Sequence, residues 1–403
     1  MIIMEQSSEI LNINSEQDNK HPHFFQVDVL KTLMIFLVIF DHTIPWDIKD
    51  NLGVALWERI SIPVFLVIMG FNMGLSFQKQ KNQSLGKLYS WKYFRQKIVR
   101  YLFPFLVLYL ISSIIGVIIY GPSLQDITFG QWGTHYDTRH LFIGILPFWG
   151  PGNWFIPVIF GSIIIMPFIY KGFSGSTFRA IISLVICFLI EISLQIFIYE
   201  ALKIHNPPPP TYPTFLIWDD YYNALLILYS VFFYLSAIGL GMWFSRNYDI
   251  FNVRNWFMWI LFPLSLAYLI AYQFFDFGFK NENGVSFITG DYSFLVFPYS
   301  AFLFLIALKL LPHESKNWFS KGIKMISRST YHILLTQILY FAIVVAIYGD
   351  HYRASIFGIN PDQDIIAFLY LIVNWIICIP IGVFWWYAET KLKKIMRKNI
   401  ILE

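Results

Sequence analysis

Lys31 and His42 bracket the stretch LKTLMIFLVIFDH (30–42), in which only Thr32 and Asp41 between them are polar. A neutral imidazole is the usual general base near pH 7 and can also act as a nucleophile. A lysine is a mobile cation for phosphate or carboxylate. Eleven residues of helix rise about 16 Å and turn some 20° past three full turns. The two side chains would therefore share a face, one at each end of the segment. Two structural readings stand beside this one. Lys31 could snorkel to a membrane interface, and His42 could be an interfacial histidine.

Either of two carboxylates could orient the imidazole. Asp41 is adjacent in sequence, but neighbouring helical residues point about 100° apart. Glu58 opens the next apolar segment after a short connector, and is the slightly stronger candidate; it could also pair within its own surface. In YFRQKIVRYLFP (93–104), Arg95, Lys97 and Arg100 form a cationic group at the same end as Lys31. Such a group suits the phosphates of a ligand, and is also what ordinary interfacial anchoring would produce. Asn153 and Trp154 open an apolar segment at the opposite end and are candidate acceptor contacts, with an aromatic-belt position as the other reading of Trp154. Glu191 lies well inside an apolar run and should face the protein interior, paired with another buried polar group or lining a tunnel. Cys187 and Cys378 sit in apolar runs and read as small buried hydrophobes, with no disulfide or metal site implied.

The elements that must position these groups are membrane-spanning helices. Of 403 residues, 57% are hydrophobic, 20% aromatic and 13% charged, and the mean hydropathy is +0.56. A soluble domain carries roughly 25% charged residues. Apolar runs of about twenty residues recur along the chain. Ten spans can be drawn, at 27–45, 56–77, 98–120, 152–170, 178–199, 223–245, 255–275, 291–311, 330–348 and 364–388. With the N-terminus placed inside, most of the 29 Lys and Arg fall in inner connectors and tails. The outer side then holds Lys49, Arg59, Arg139, Lys203, Lys280 and Arg353. This bias orients the chain with both termini cytoplasmic. The net charge of +4 is thus a topology signal rather than a nucleic-acid footprint. Residues 1–26 read as a polar cytoplasmic tail without a signal peptide, 27–388 as the membrane domain and 389–403 as a basic cytoplasmic tail. The fold class is all-α, a polytopic integral membrane protein of ten transmembrane helices. Gly70 and Gly74 in the second span allow close approach of another helix. The long outer connectors 121–151 and 200–222 include QWGTHYDTRH (131–140), either interfacial anchors or a surface that stacks on a sugar or lipid head group.

In this order the motifs resemble the membrane acyltransferases of family 3. FQVDVLKTLMIFLVIFDH is similar to their first helix, with its Arg, ten residues, then His. PVFLVIMGF resembles their second-helix segment, and RQKIVRYLFP their Arg-x-x-Arg before a proline. PGNWFIPVIFGSIIIMPF and ISRSTYHILLTQILYF resemble their fourth-span and late Ser-Tyr-x-Ile-x-Leu segments. The likeness runs from about residue 24 to 390. Lys31 stands where the family usually has Arg, Met69 where it has Ser, Lys97 for the first Arg of Arg-x-x-Arg, and Gln337 where many members have His. Asp28 matches the family's Asp three residues before the first-helix cation.

The resemblance implies O-acyl transfer in the cell membrane. An acyl group, most often acetyl, would pass from cytosolic acetyl-CoA or another acyl-CoA to a hydroxyl of an outward-facing glycan or lipid-linked sugar. Lys31, Lys97, Arg100 and Arg95 would hold donor phosphates. His42 would take the hydroxyl proton or carry the acyl group, and Asn153 and Trp154 would meet the acceptor. No permanently bound cofactor and no nucleic-acid partner are implied, and the oligomeric state is left open. A transporter or flippase of a lipid-linked glycan, or a non-catalytic member of the fold, would share much of this sequence.

Overall fold

A computed structural model describes residues 24–80, 83–120, 151–204, 230–280, 286–288, 293–348 and 364–400. The motif 131–140, most of the two long outer connectors and the N-terminal residues before Phe24 lie outside them.

Among the described residues, each predicted span overlaps a helix. The first is α1 (Phe25–Thr43), which Pro45 separates from the short α2 (Trp46–Asn51). A left-handed Gly53 turns the chain back toward α3 (Ser61–Gln78). After α4 (Leu85–Leu88), α5 (Trp91–Lys97) continues through a wide turn of π-helix at Ile98–Leu102 into α6 (Phe103–Tyr120). The remaining helices are α7 (Phe155–Phe173), α8 (Thr177–Ile204), α9 (Leu235–Phe244), α10 (Met258–Phe275), α11 (Phe297–Leu310), α12 (Trp318–Tyr348) and α13 (Asp364–Ile400). Among the described residues the exception to helix is a two-stranded antiparallel pairing of β1 (Phe279–Lys280) with β2 (Ser286–Ile288). Pro63, Pro157 and Pro298 fall in first turns, where the missing N–H costs no helical bond.

Among the described residues, six stretches are long and apolar enough to cross a membrane: Val54–Gln78, Leu85–Ile119, Phe155–Phe173, Thr177–Phe197, Val253–Phe275 and Ile365–Ile395. Val231–Phe244 and Phe297–Leu310 are apolar but shorter. The apolar surface is distributed as a bilayer requires. In α3 the most apolar window is 72% buried, whereas in α8 it is 22% buried. On α6 the exposed side chains Leu106, Leu110, Ile114, Val117 and Ile118 recur at helical spacing and form an outward apolar stripe. Ile365, Leu369, Ile372 and Ile376 do the same on α13. Stripes of this size have no place in water, and the molecule is a membrane protein.

At the centre, α3 runs against α9 through glycines on both sides. A Cβ at Gly70 would collide with the carbonyl oxygen of Ile238, and one at Gly241 with that of Val67. A Cβ at Gly74 would meet the Ser245 hydroxyl. The close approach expected from Gly70 and Gly74 is thus present, and α9 supplies the reciprocal glycine. Opposite this pair, α12 packs against both α1 and α13, and α1 also contacts α3. Glu191 of α8 faces inward. Its carboxylate accepts hydrogen bonds from the Ser236 backbone N–H (2.7 Å) and hydroxyl (2.7–2.9 Å) at the start of α9, so it caps that helix from outside. Of the two roles expected for it, this is the buried pairing. The buried Cys187 and Cys378 are free thiols.

α13 runs on past residue 388 without interruption, and Glu389 and Lys393 are tied back into the bundle. Glu389 pairs with His332 of α12 (3.1 Å) and with Lys393, and Lys393 donates to the Val99 carbonyl (2.8 Å). That carbonyl lies in the π turn. Pro104 has no N–H to bond the carbonyl four residues back, so the helix widens there. The Tyr331 hydroxyl takes a second carbonyl of the turn, that of Tyr101 (3.0 Å).

Candidate active site

Two cavities lie along α1. The larger, about 760 Å³, opens at the Lys31 end and is walled by α1, α3, the π turn, α7 and α12. Its cations are Lys31, Lys97, Arg100 and Arg328. Arg100 and Arg328 are exposed at the mouth, and Lys31 and Lys97 are partly buried further in. The π turn places this group. By adding a residue to the turn it brings both Lys97 and Arg100 to the cavity wall, where Lys97 Nζ contacts Met73 Sδ at 2.8 Å and Arg100 lies over the Tyr101 ring at 5.2 Å. Asp28 accepts from the Ser327 hydroxyl (2.6 Å) and joins the first turn of α1 to α12 beside Arg328. Arg95, expected in this group, is exposed and not among the residues that line the cavity. It is two residues before Lys97, about 200° round the helix, which turns it away. Arg328 takes part in the lining without having been expected there. Its only sequence signal is a cation at the inner end of the late Ser-Tyr helix.

The smaller cavity, about 70 Å³, lies at the other end of α1 and is lined by His42, Asp41, Arg59, Ser61, Gly152 and Trp154 among others. Val38, Ile62, Phe155 and Leu334 line both cavities, so the two adjoin at a neck of apolar side chains. His42 packs edge-on to Phe341 at 5.9 Å. Its Nδ1 lies 3.7 Å from the Asp41 carboxylate. A Cβ at Gly152 would lie 3.3 Å from its Nε2 and 2.8 Å from Gln337 Nε2. Gly152 holds a φ of +87° that favours glycine, and Gln337 donates to the neighbouring Pro151 carbonyl at 3.2 Å. Backbone without a side chain therefore leaves the space beside Nε2 open. Gln337, at the position where many relatives were expected to have His, holds the segment that forms this space.

Asp41 is the hub of the outer end. Lys49 of α2 reaches its Oδ1 at 2.5 Å and its carbonyl at 2.9 Å. Arg59 reaches Oδ1 at 3.2 Å and Oδ2 at 3.4 Å. The Glu58 carboxylate lies 3.5 Å from Arg59 Nε, so Glu58 joins the site through Arg59, and Asp41 is the carboxylate beside the imidazole ring. The 100° between adjacent helical side chains does not separate them, because α1 ends one residue later and its last turn leaves both free to converge. Lys49 and Arg59 are nearly fully buried, although both fall among the six cations assigned to outer connectors. Cations on the side that is poor in them are the signal that could have marked the pair. A buried chain from the Tyr340 hydroxyl to Asn374 (2.7 Å) and from Asn374 to Thr43 (3.0 Å) pins the end of α1 that carries His42.

Trp154 is brought to the His42 cavity and stacks on Tyr234 at 5.9 Å. Asn153 is fully buried and not among the lining residues; its carbonyl accepts from Ile156 N at 3.0 Å at the start of α7. Met69 and Ser162 meet on the wall of the larger cavity at 3.5 Å.

A cation-lined chamber thus adjoins, at an apolar neck, a small cavity lined by an imidazole. The family model of an acyltransferase domain, of type 3, matches residues 24–388, nearly the whole chain. The chain belongs to this acyltransferase family. Neither a curated protein nor a solved structure matches it significantly. As an acyltransferase it is an enzyme of group transfer, and both cavities lie within the matched domain.

Proposed function

We propose that this membrane acyltransferase moves a short acyl group, acetyl first among them, from a cytosolic coenzyme A thioester to a hydroxyl of an outward-facing glycan or lipid-linked sugar. The observation that supports it most is the sharing of Val38, Ile62, Phe155 and Leu334 between the two cavities. In this reading Lys31, Lys97, Arg100 and Arg328 bind the donor's phosphates, and the neck takes its uncharged arm. The thioester then arrives at His42, about 16 Å along α1 from Lys31. A volume of about 70 Å³ around His42 suits an acetyl group and crowds a long chain.

Asp41 on the Nδ1 side favours the tautomer with its proton on Nδ1, which leaves the Nε2 lone pair to act. His42 Nε2 takes the proton of the acceptor hydroxyl as the oxygen attacks the thioester carbonyl, or itself attacks first and passes the acyl group on. Trp154 offers an aromatic face to a sugar ring entering from the outer side. The cation bias supports an orientation in the cell membrane with both termini cytoplasmic, the ten drawn spans crossing it and the Lys31 end inside.

The test is purified protein in proteoliposomes with labelled acetyl-CoA, followed by mass spectrometry of glycans supplied on the opposite face. Label should appear as an O-acetyl ester on a glycan. His42→Ala should abolish transfer while leaving expression and coenzyme A binding intact. Transfer at the wild-type rate by that variant would remove His42 from the reaction.

A further inference from the structure

Arg59 lines the His42 cavity with its guanidinium nearly fully buried. It is held from two sides. Asp41 accepts a hydrogen bond from Nη1 at 3.4 Å and stands 3.2 Å from Nη2, and Glu58 stands 3.5 Å from Nε. Lys49 shares the Asp41 oxygen, so two cations and two carboxylates meet in one compact group. A fork fixed in this way is expensive to bury for stability alone, because buried ion pairs repay their desolvation poorly. It is also already oriented and does not need to reorganise when charge develops beside it. Fixed donors in a water-poor cavity are the arrangement that stabilises an oxyanion most effectively.

We propose that Arg59 stabilises the negative charge that develops on the thioester carbonyl oxygen during transfer; this rests on the acyl-transfer reading above. As the acceptor oxygen bonds to the carbonyl carbon, its proton passes to His42 Nε2 and the carbonyl π electrons move onto oxygen, beside the guanidinium. When that oxyanion collapses, the carbon–sulfur bond breaks, and the leaving thiolate takes the proton from His42. If His42 carries the acyl group, the same oxygen becomes negative in each of the two steps. Asp41 positions both partners: one carboxylate holds the fork of the oxyanion donor and faces the ring of the base.

The test compares Arg59→Gln and Arg59→Lys with wild type in proteoliposomes. Thiol released from acetyl-CoA is followed with water and with added glycan as acceptors, coenzyme A binding is measured separately, and thermal unfolding is recorded in detergent. Arg59→Gln should lower kcat about a hundredfold or more, with the KM for acetyl-CoA and the affinity for coenzyme A within about twofold of wild type. Arg59→Lys should recover part of kcat, since it restores charge without the fork. Turnover by Arg59→Gln near the wild-type rate would overturn the assignment. So would a loss matched by equal loss of coenzyme A binding or by early unfolding in both variants, which is the mark of a structural arginine. A wild-type protein that binds coenzyme A but releases no thiol would overturn the acyl-transfer reading itself, and Arg59's role with it.

Discussion

Two arginines separate the lining of the large cavity from the surface around it. Arg328 lines the cavity, whereas Arg95 is exposed outside its wall. A charge-assisted phosphate contact contributes about 1.5–3 kcal/mol, so Arg328→Gln should raise the KM for acetyl-CoA roughly tenfold with little change in kcat. Arg95→Gln should leave both near wild type. Lys31→Arg should preserve donor affinity and Lys31→Glu should weaken it; titrations with coenzyme A check all four variants. The Lys31–His42 relationship was legible in the sequence because both residues ride on one helix, whose pitch fixes their separation. The convergence of Lys49 and Arg59 on Asp41 was not. It depends on how α2 and the Gly53 turn fold back over the end of α1, and short connectors leave no periodic signal. Removing one member of this buried group should be costly. Asp41→Asn should destabilise the protein by about 3 kcal/mol, read as earlier unfolding in detergent, and should lower turnover as well.

At the scale of elements, glycines set the spacing in two places for different reasons. Between α3 and α9 they let backbones touch. Gly241→Ala would press a methyl onto the Val67 carbonyl, and because both helices are central there is no slack to absorb it. Overpacking of this kind costs about 1–3 kcal/mol or more, so reduced yield and early unfolding are expected. Half of this contact was visible in advance: Gly70 and Gly74 announce a close approach by their spacing, but they do not name the partner helix. Gly152 acts otherwise. Its φ of +87° penalises any side chain, and a methyl there would lean on His42 and Gln337. Gly152→Ala should therefore lower kcat by more than tenfold at modest cost in stability, on the order of 1–3 kcal/mol. Turnover and unfolding measured on the same preparation separate the two cases, since Gly241→Ala should lose stability first and Gly152→Ala activity first. The π turn before Pro104 is a third element-scale device. The sequence gives the proline, but not the extra residue in the turn or the Lys393 and Tyr331 contacts that satisfy its carbonyls.

For the whole molecule, the neck formed by Val38, Ile62, Phe155 and Leu334 divides one end of the protein from the other. All four are buried or nearly so, and they come from α1, α3, the start of α7, and α12, so no single segment could have shown the neck in sequence. What the sequence did carry was its two ends, a cation group and an imidazole on opposite sides of a span. If the donor's arm must thread this neck, its width should govern transfer separately from binding. Val38→Phe or Leu334→Phe should leave coenzyme A affinity near wild type, because the cations lie below the obstruction, and should stop acetyl transfer because the thioester no longer reaches His42. Leu334→Ala should act in the opposite sense, widening the His42 end and raising the rate with butyryl-CoA relative to acetyl-CoA. Donor affinity and transfer rate measured side by side for the three variants decide the matter. Equal loss of binding and transfer in both Phe variants would mean that the two cavities do not serve one ligand.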